Sequence, residues 1–338
     1  MAAPSQGITR FDLSTTYSEF SLRQNRLGFV GLQVFPMLKR NYKGPREYLR
    51  LRLSSLSEAK RSTIRAADGS YPESEFQWDK DDYKMEDHGA VERVSDSERD
   101  RWGDILRQEI ISADRALDRV LRAIEREISS TVFSNSWAHQ TAAGTPFTDH
   151  GTATPFDVIR DASRKVRNRI GMKPNTLVIT DDGWTDMVLC AQFEDKLESG
   201  TNDDPNHMTM KGLKMLFPHL KNIVIAAGVD MQTVNQNQVN ETVVTFDNMW
   251  DSSMMMLCHV NNDGMNGDLS APMPNIGRTL IDVGGFQPLP GSSSADDPLV
   301  IMEEYRDENV RLGKIRARNY RGIKIVHPEA GELITGIR

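Results

Sequence analysis

Seven histidines and two cysteines are the side chains best suited to metal binding or nucleophilic attack in this sequence, and their spacing serves neither purpose. His139, Asp149 and His150 form the one loose cluster, at intervals that match no metal signature, and read as a polar loop. His259 follows Cys258 in an apolar run, where a buried, satisfied histidine is the simpler reading. Cys190 and Cys258 cannot make a framework of staples and read as free thiols of a protein made in a reducing cytosol. Asp181/Asp182 read as a helix N-cap and Glu303/Glu304 as a solvated helix face, not as general acids and bases. Met254-Met255-Met256 reads as core filling. The chain carries no Gly-x-x-x-x-Gly-Lys-Ser/Thr phosphate loop, no dinucleotide fingerprint after a strand and no Gly-x-Ser-x-Gly elbow. No catalytic residue, cofactor or metal is expected.

Charge is more informative than chemistry. The 338 residues carry a net charge of -7 with a pI near 5.6, which argues against a general nucleic-acid binder. The balance is uneven: residues 1–65 hold 12 Lys/Arg against 4 Asp/Glu, and residues 68–104 hold 5 against 13. Blocks of +8 and -8 read either as solvated faces or as self-complementary surfaces, one copy's basic arm lying on another's acidic strand. The N-terminus has neither a basic nor an apolar signal region, and no apolar run approaches the ~20 residues of a membrane span, so a soluble product outside the Sec route is expected.

The elements that position these charges are read from periodicity. Ser95 with Glu98 three residues on forms a capping box. Apolar residues then recur at Trp102, Leu106, Ile110, Ala113, Leu117, Val120, Ile124, Ile128 and Val132, one stripe on one face. Only Gly103 interrupts, so the pattern predicts a helix of about 35 residues, roughly 50 Å long. Before it, residues 44–94 read as a long hairpin with arms around Arg46–Leu53 and Phe76–Val94. The tip between them, Ser54–Pro72, has no core pattern of its own. Residues 1–43 mix aromatic and basic side chains, and Val30–Met37 reads as a short strand stopped at Pro36. After a Gly/Thr-rich linker come helices from Pro155 and Asp181, strands at 175–180, 223–226, 243–246 and 254–260, and a helix at 208–217. A closing hairpin is expected from Lys314–Tyr320 and Arg321–Val326.

In that frame a resemblance becomes specific. Tyr83-Lys84-Met85-Glu86-Asp87-His88-Gly89-Ala90-Val91-Glu92-Arg93-Val94-Ser95-Asp96-Ser97-Glu98-Arg99 resembles the end of the extended loop and the start of the spine helix in major capsid proteins of tailed bacteriophages, which share the Hong Kong 97 fold. Leu27–Pro36 resembles the close of that family's N-terminal arm. Met172–Ile179 with Asp181-Asp182-Gly183-Trp184 resembles its axial strand–helix step, and Trp250–Val260 its later apolar strand. Lys314–Ile334, with Pro328-Glu329-Ala330-Gly331, resembles its closing strands. The motifs occur in family order along nearly the whole chain.

The resemblance implies an α+β, Hong Kong 97-like fold. Its parts would be an N-terminal arm (1–43), an extended loop (44–94), a peripheral domain with the spine helix (95–150), an axial α/β domain (151–298) and closing peripheral strands (299–338). Arg46, Arg50, Arg52, Lys60, Trp78, Asp79, Asp81 and Asp82 would make inter-subunit contacts. Trp102, Leu106, Ile110, Leu117 and Ile124 would form the buried face of the spine helix. The implied partners are further copies in hexamers and pentamers, a separate scaffolding protein (no long segment precedes the arm), a portal, a decoration protein, and packaged double-stranded DNA contacted non-specifically. No membrane partner and no enzymatic activity are implied. Lys60 lies where some relatives place a cross-linking lysine, but its acid and asparagine partners are not recognisable, so a non-covalent shell is expected. An encapsulin-type nanocompartment shell and an α/β enzyme of unknown chemistry stay open as alternatives.

Overall fold

The computed structural model describes residues 8–9, 28–40, 47–52, 69, 78–97, 108–193, 210–231, 246–261, 274–282, 299–307 and 311–338. Its longest helix, α2 (Gln108–Val132), contains no Gly or Pro and is rich in Ala, Leu, Ile, Arg and Glu. Ala113, Ala116, Leu117, Val120, Leu121, Ile124, Ile128 and Val132 are buried along one side. Each large apolar side chain so buried stabilises by about 1.5–3 kcal/mol before entropy is counted. The expected helical phase therefore holds for Leu117 and Ile124. Ile110 departs from it. It is 39% exposed. Trp102, Leu106 and Glu98 lie outside the described residues. Ser95 ends a strand directly before helical residues 96 and 97, its Oγ lying 2.8 Å from Ser97 Oγ.

Helix α2 lies against a six-stranded sheet. The central strand of that sheet, β14 (Leu312–Ile325), is a single 14-residue strand, not the expected hairpin. Along one edge it pairs with β5 (Glu86–Ser95), and along the other first with β13 (Ile301–Asp307) and then with β12 (Gly277–Asp282). Gly322, within β14, serves a close approach. A Cβ there would collide with the Lys84 carbonyl, where the chain crosses between β4 (Trp78–Asp82) and β5. Alternation does the rest. Ile315 and Ala317 face α2, while Tyr320 joins a small cluster with Leu38, Tyr83, Met85 and Leu280 on the opposite face. Two short strands complete the sheet: β1 (Ile8–Thr9) on β13, and β2 (Met37–Arg40), parallel to β12. The strand expected at Val30–Met37 is instead a four-residue helix, α1 (Gly31–Val34), with Pro36 separating it from β2. The anticipated hairpin exists as β3 (Glu47–Leu51) antiparallel to β4, but its returning arm ends at Asp82, and β5 leaves to join the six-stranded sheet.

A five-stranded sheet forms the other half of the structure, in the order β6 (Gln140–Ala142), β15 (Gly331–Thr335), β11 (Met254–Cys258), β7 (Thr176–Thr180), β8 (Asn222–Ala226). Every residue of β7 and of β11 is buried. The period of two sorts them. Val178, Met254, Met256, Cys258 and Leu333 face the core shared with α2. Leu177, Ile179, Met255, Leu257 and Ile334 face a second core. Helices α3 (Pro155–Ile170), α4 (Asp181–Val188) and α5 (Met210–Leu216) cover that second core through Ile159, Ala162, Met187 and Leu213. Helix α3 opens with Pro at its first position and closes on Gly171 in the left-handed region (φ 75°). The cap of α4 is Thr180, whose Oγ1 accepts from Gly183 N at 3.2 Å; Asp181 is the first helical residue rather than the cap. A small hairpin of β9 (Val229–Met231) and β10 (Phe246–Asn248) follows β8.

The two sheets cut across the expected boundaries. Strand β12 lies within 151–298 yet belongs to the six-stranded sheet, and β15 lies within 299–338 yet belongs to the five-stranded one. Helix α2, between them, shares a core with both.

Candidate functional site

Among the described residues, those with metal or nucleophilic chemistry do not converge. Asp149 accepts from Thr152 Oγ1 at 2.6 Å and builds a turn, while His150 Nε2 lies 3.8 Å from Asp186 Oδ1. Among the described residues no group of three or more His, Cys, Asp or Glu side chains is placed to hold a metal ion. His259 Nδ1 meets the Lys173 carbonyl at 3.2 Å, and burial pushes its pKa down. Burial, reinforced by Asp186 and Asp149, pushes the Cys190 thiol up to about 11, and full burial pushes Cys258 up as well. Neither thiol is a competent nucleophile at neutral pH.

What does converge is charge, in two settings. The first is the strand pair β3–β4, where the basic and acidic blocks meet inside one chain. Arg50 is in register with Asp79, and Tyr48 with Asp81. Just past β3, Arg52 Nε donates to Asp79 Oδ1 at 2.6 Å. Lys324, from β14, donates to Asp81 Oδ1 at 3.0 Å and to the Asp82 carbonyl at 2.8 Å. Some of the complementarity anticipated between copies is therefore satisfied within the chain. Asp82 is exposed at the end of β4. Arg46 and Lys60 lie outside the described residues, and Arg50 and Trp78 are placed as strand positions only.

The second setting is a set of buried acids that periodicity did not reveal. Glu125, on the core-facing side of α2, is 1% exposed. Its Oε1 accepts from Val30 N at 2.9 Å and Trp250 Nε1 at 2.7 Å, and its Oε2 from Gly31 N at 2.8 Å. The carboxylate thus caps α1 from another part of the chain and ties α1, α2 and the turn before β11 together. Burial raises its pKa, against the pull of those donors. A signal was available: Leu121, Glu125, Ser129 and Phe133 step by four along the edge of the apolar stripe, so Glu125 had to meet a buried donor.

Glu303 and Glu304 sit on strand β13, not on a helix. Glu303 is buried and accepts from Arg316 Nε at 2.9 Å and Arg318 Nη2 at 2.7 Å. Burial opposes its ionisation, but the two guanidinium groups prevail and hold its pKa below the usual range. Arg321, 1% exposed, pairs with Glu127 of α2 at 3.0 Å and donates to Asn319 at 2.8 Å. Glu332 of β15, also 1% exposed, takes Arg169 of α3 at 2.7 Å. These groups join separate elements of the fold.

No protein-family model matches this sequence, and no curated protein does. Solved structures match over nearly the whole chain. A phage-related protein from Bordetella bronchiseptica RB50 aligns over 98% of this chain and 99% of its own, with a TM-score of 0.65 at 18% identity. The capsid of cyanophage P-SCSP1u aligns over 99% and 90%, with a TM-score of 0.53 at 6% identity. A virus-like particle from Pyrococcus furiosus aligns over 96% and 98%, with a TM-score of 0.52 at 12% identity. The chain has the α+β capsid fold of these proteins.

Proposed function

We propose that this chain is the major capsid protein of a tailed phage, building an icosahedral head from hexamers and pentamers around double-stranded DNA. The observation that supports this most is end-to-end likeness to shell-forming proteins, including a phage capsid and a virus-like particle. A chain that matched only a lobe could have borrowed a domain; this one matches from arm to closing strand.

In this reading residues 1–43 are the arm, 44–94 the loop that crosses a neighbour, α2 the spine, and the five-stranded-sheet lobe the part that gathers at five-fold and six-fold axes. Heterologous ring contacts close such a shell. Arg46, Arg50, Arg52, Lys60, Trp78, Asp79, Asp81 and Asp82 lie on the loop that would make them. A scaffolding protein, a portal, a decoration protein and packaged DNA are the further partners. Assembly takes place in the host bacterial cytoplasm and the product resides in the virion. Among the described residues no helix is long and apolar enough to cross a membrane. Catalysis has no place in this reading.

Negative-stain microscopy and sedimentation of the purified protein test it. Closed particles are expected, together with nuclease-protected DNA from phage-infected cells. A stable folded monomer under assembly conditions refutes the shell. Particles that protect an enzyme cargo and no DNA favour the nanocompartment reading, to which the virus-like particle likeness also lends support.

A further inference from the structure

Two arginines are deeply buried in the six-stranded sheet, and the chain treats them differently. Arg321 faces α2 and has both a carboxylate and an amide partner. Arg278, on β12, is 9% exposed, its Nη1 is buried, and among the described residues that nitrogen has no hydrogen-bond partner. It makes no ion pair among the described residues. The residue directly across from it in the β12–β14 register is Lys324, a second cation, whose ammonium already engages Asp81 and the Asp82 carbonyl. Alternation along β12 puts Arg278 on the face of Leu280, which packs with Leu38, Tyr83, Met85 and Tyr320. An apolar cluster lies on the same face, and a like charge stands opposite.

A guanidinium cannot shed its proton in a protein, and an unpaired buried charge is strongly unfavourable. A planar fork of donors in such a place is matched best by a carboxylate. We propose that Arg278 is the open half of an inter-subunit ion pair, closed in the assembled shell by a carboxylate from a second copy of this chain. The second copy is the occupant because its chemistry is in surplus there: 13 acids lie in residues 68–104 alone, and the chain carries -7 overall. The inference rests on the shell reading above. It adds that the subunit carries a built-in electrostatic penalty that assembly relieves.

The test compares Arg278→Met, which keeps the bulk and removes the charge, with Arg278→Lys, which keeps the charge and removes the fork. Dissociated subunits and assembled particles are measured separately. Met-variant subunits are expected to melt at or above the wild-type temperature, while the apparent association constant for particle formation falls by about 30-fold or more. The Lys variant should assemble at an intermediate level. Equal losses in subunit and particle overturn the proposal, because Arg278 then serves its own chain; so does a Met variant that assembles normally. A titration with inorganic phosphate separates sources of negative charge. If phosphate raises the melting temperature of wild-type but not Met-variant subunits while Met-variant particles form normally, Arg278 is a free-anion site and the second-copy proposal fails. Failure of the wild-type chain to form particles overturns the shell reading itself, and this proposal with it.

Discussion

Replacing Glu125 by alanine is the sharpest probe of how this fold is held together. The side chain satisfies three buried donors: Val30 N, Gly31 N and Trp250 Nε1. Leaving one buried donor unsatisfied costs about 1–3 kcal/mol. Because the three share one acceptor group and the site can relax, about 3–6 kcal/mol is expected rather than the full sum. Against a total stability of ~5–15 kcal/mol, that is a large fraction. Glu125→Gln keeps an acceptor and the shape, so it should lose less. It also supplies a sign test. The folded pKa of Glu125 is raised, first by burial, so its contribution is greatest below the unfolded value and is lost as pH rises through the folded one. Wild type should therefore gain on the Gln variant as pH falls from neutrality towards the ordinary carboxylate range. Urea unfolding of dissociated subunits, followed by circular dichroism across that range, measures both quantities. An alanine variant within about 1 kcal/mol of wild type would refute the joint, since surface-like substitutions stay in that range. A wild-type–Gln difference that grows with rising pH would refute the assigned sign.

Gly31→Ala should destabilise although its backbone angle is ordinary, because a Cβ would come 2.7 Å from Glu125 Oε2 and 3.0 Å from Ile128 Cδ1; normal melting would show that the contact yields freely. Leu117→Asp puts a carboxylate into the packed face of α2 at a cost of several kcal/mol, so insoluble or unassembled protein is expected, and normal particles would contradict that packing. Glu303→Gln should flatten the loss of stability in acid, since the lowered pKa of Glu303 gives a contribution present at neutral pH and lost as pH falls through the folded value; an unchanged acid profile would count against it. Particles boiled in detergent should give one band at 38.1 kDa, and a ladder would reveal cross-links.

Local pattern made much of the architecture legible. The α2 stripe, the buried β7 and β11 and the separate arms of the β3–β4 hairpin each announce themselves in their own residues. Pairings between distant segments were not legible. Nothing near Gly331–Thr335 says that this strand lies parallel to β6 and antiparallel to β11, or that β12 crosses to the other sheet. The expected closing hairpin shows how a local pattern misleads: two short alternating runs suggest a turn between them, but both lie in the single strand β14, where Gly322 admits the carbonyl of Lys84, far away in sequence. The Val30–Met37 segment misled in the same way. Its apolar run suits a strand, and the acceptor that lets it coil, Glu125, lies 95 residues on.

The same logic explains why the candidate site was harder to read than the fold. A catalytic group often travels with neighbours that betray it, because the chemistry demands a fixed spacing. The charged groups here answer to partners on other elements: Glu125 to α1 and Trp250, Glu127 to Arg321, Glu332 to Arg169. Buried pairs of this kind add little net stability compared with apolar packing, yet breaking one is costly, so they favour one arrangement over near alternatives. Under the proposed function that suits a subunit presenting one arm, one loop and one lobe in a fixed relation, because an angular error in a repeated contact prevents closure. Arg278 follows the same rule one level up. Its Nη1 is buried without a partner among the described residues, which under the proposal above is what a joint between copies would show in a single chain.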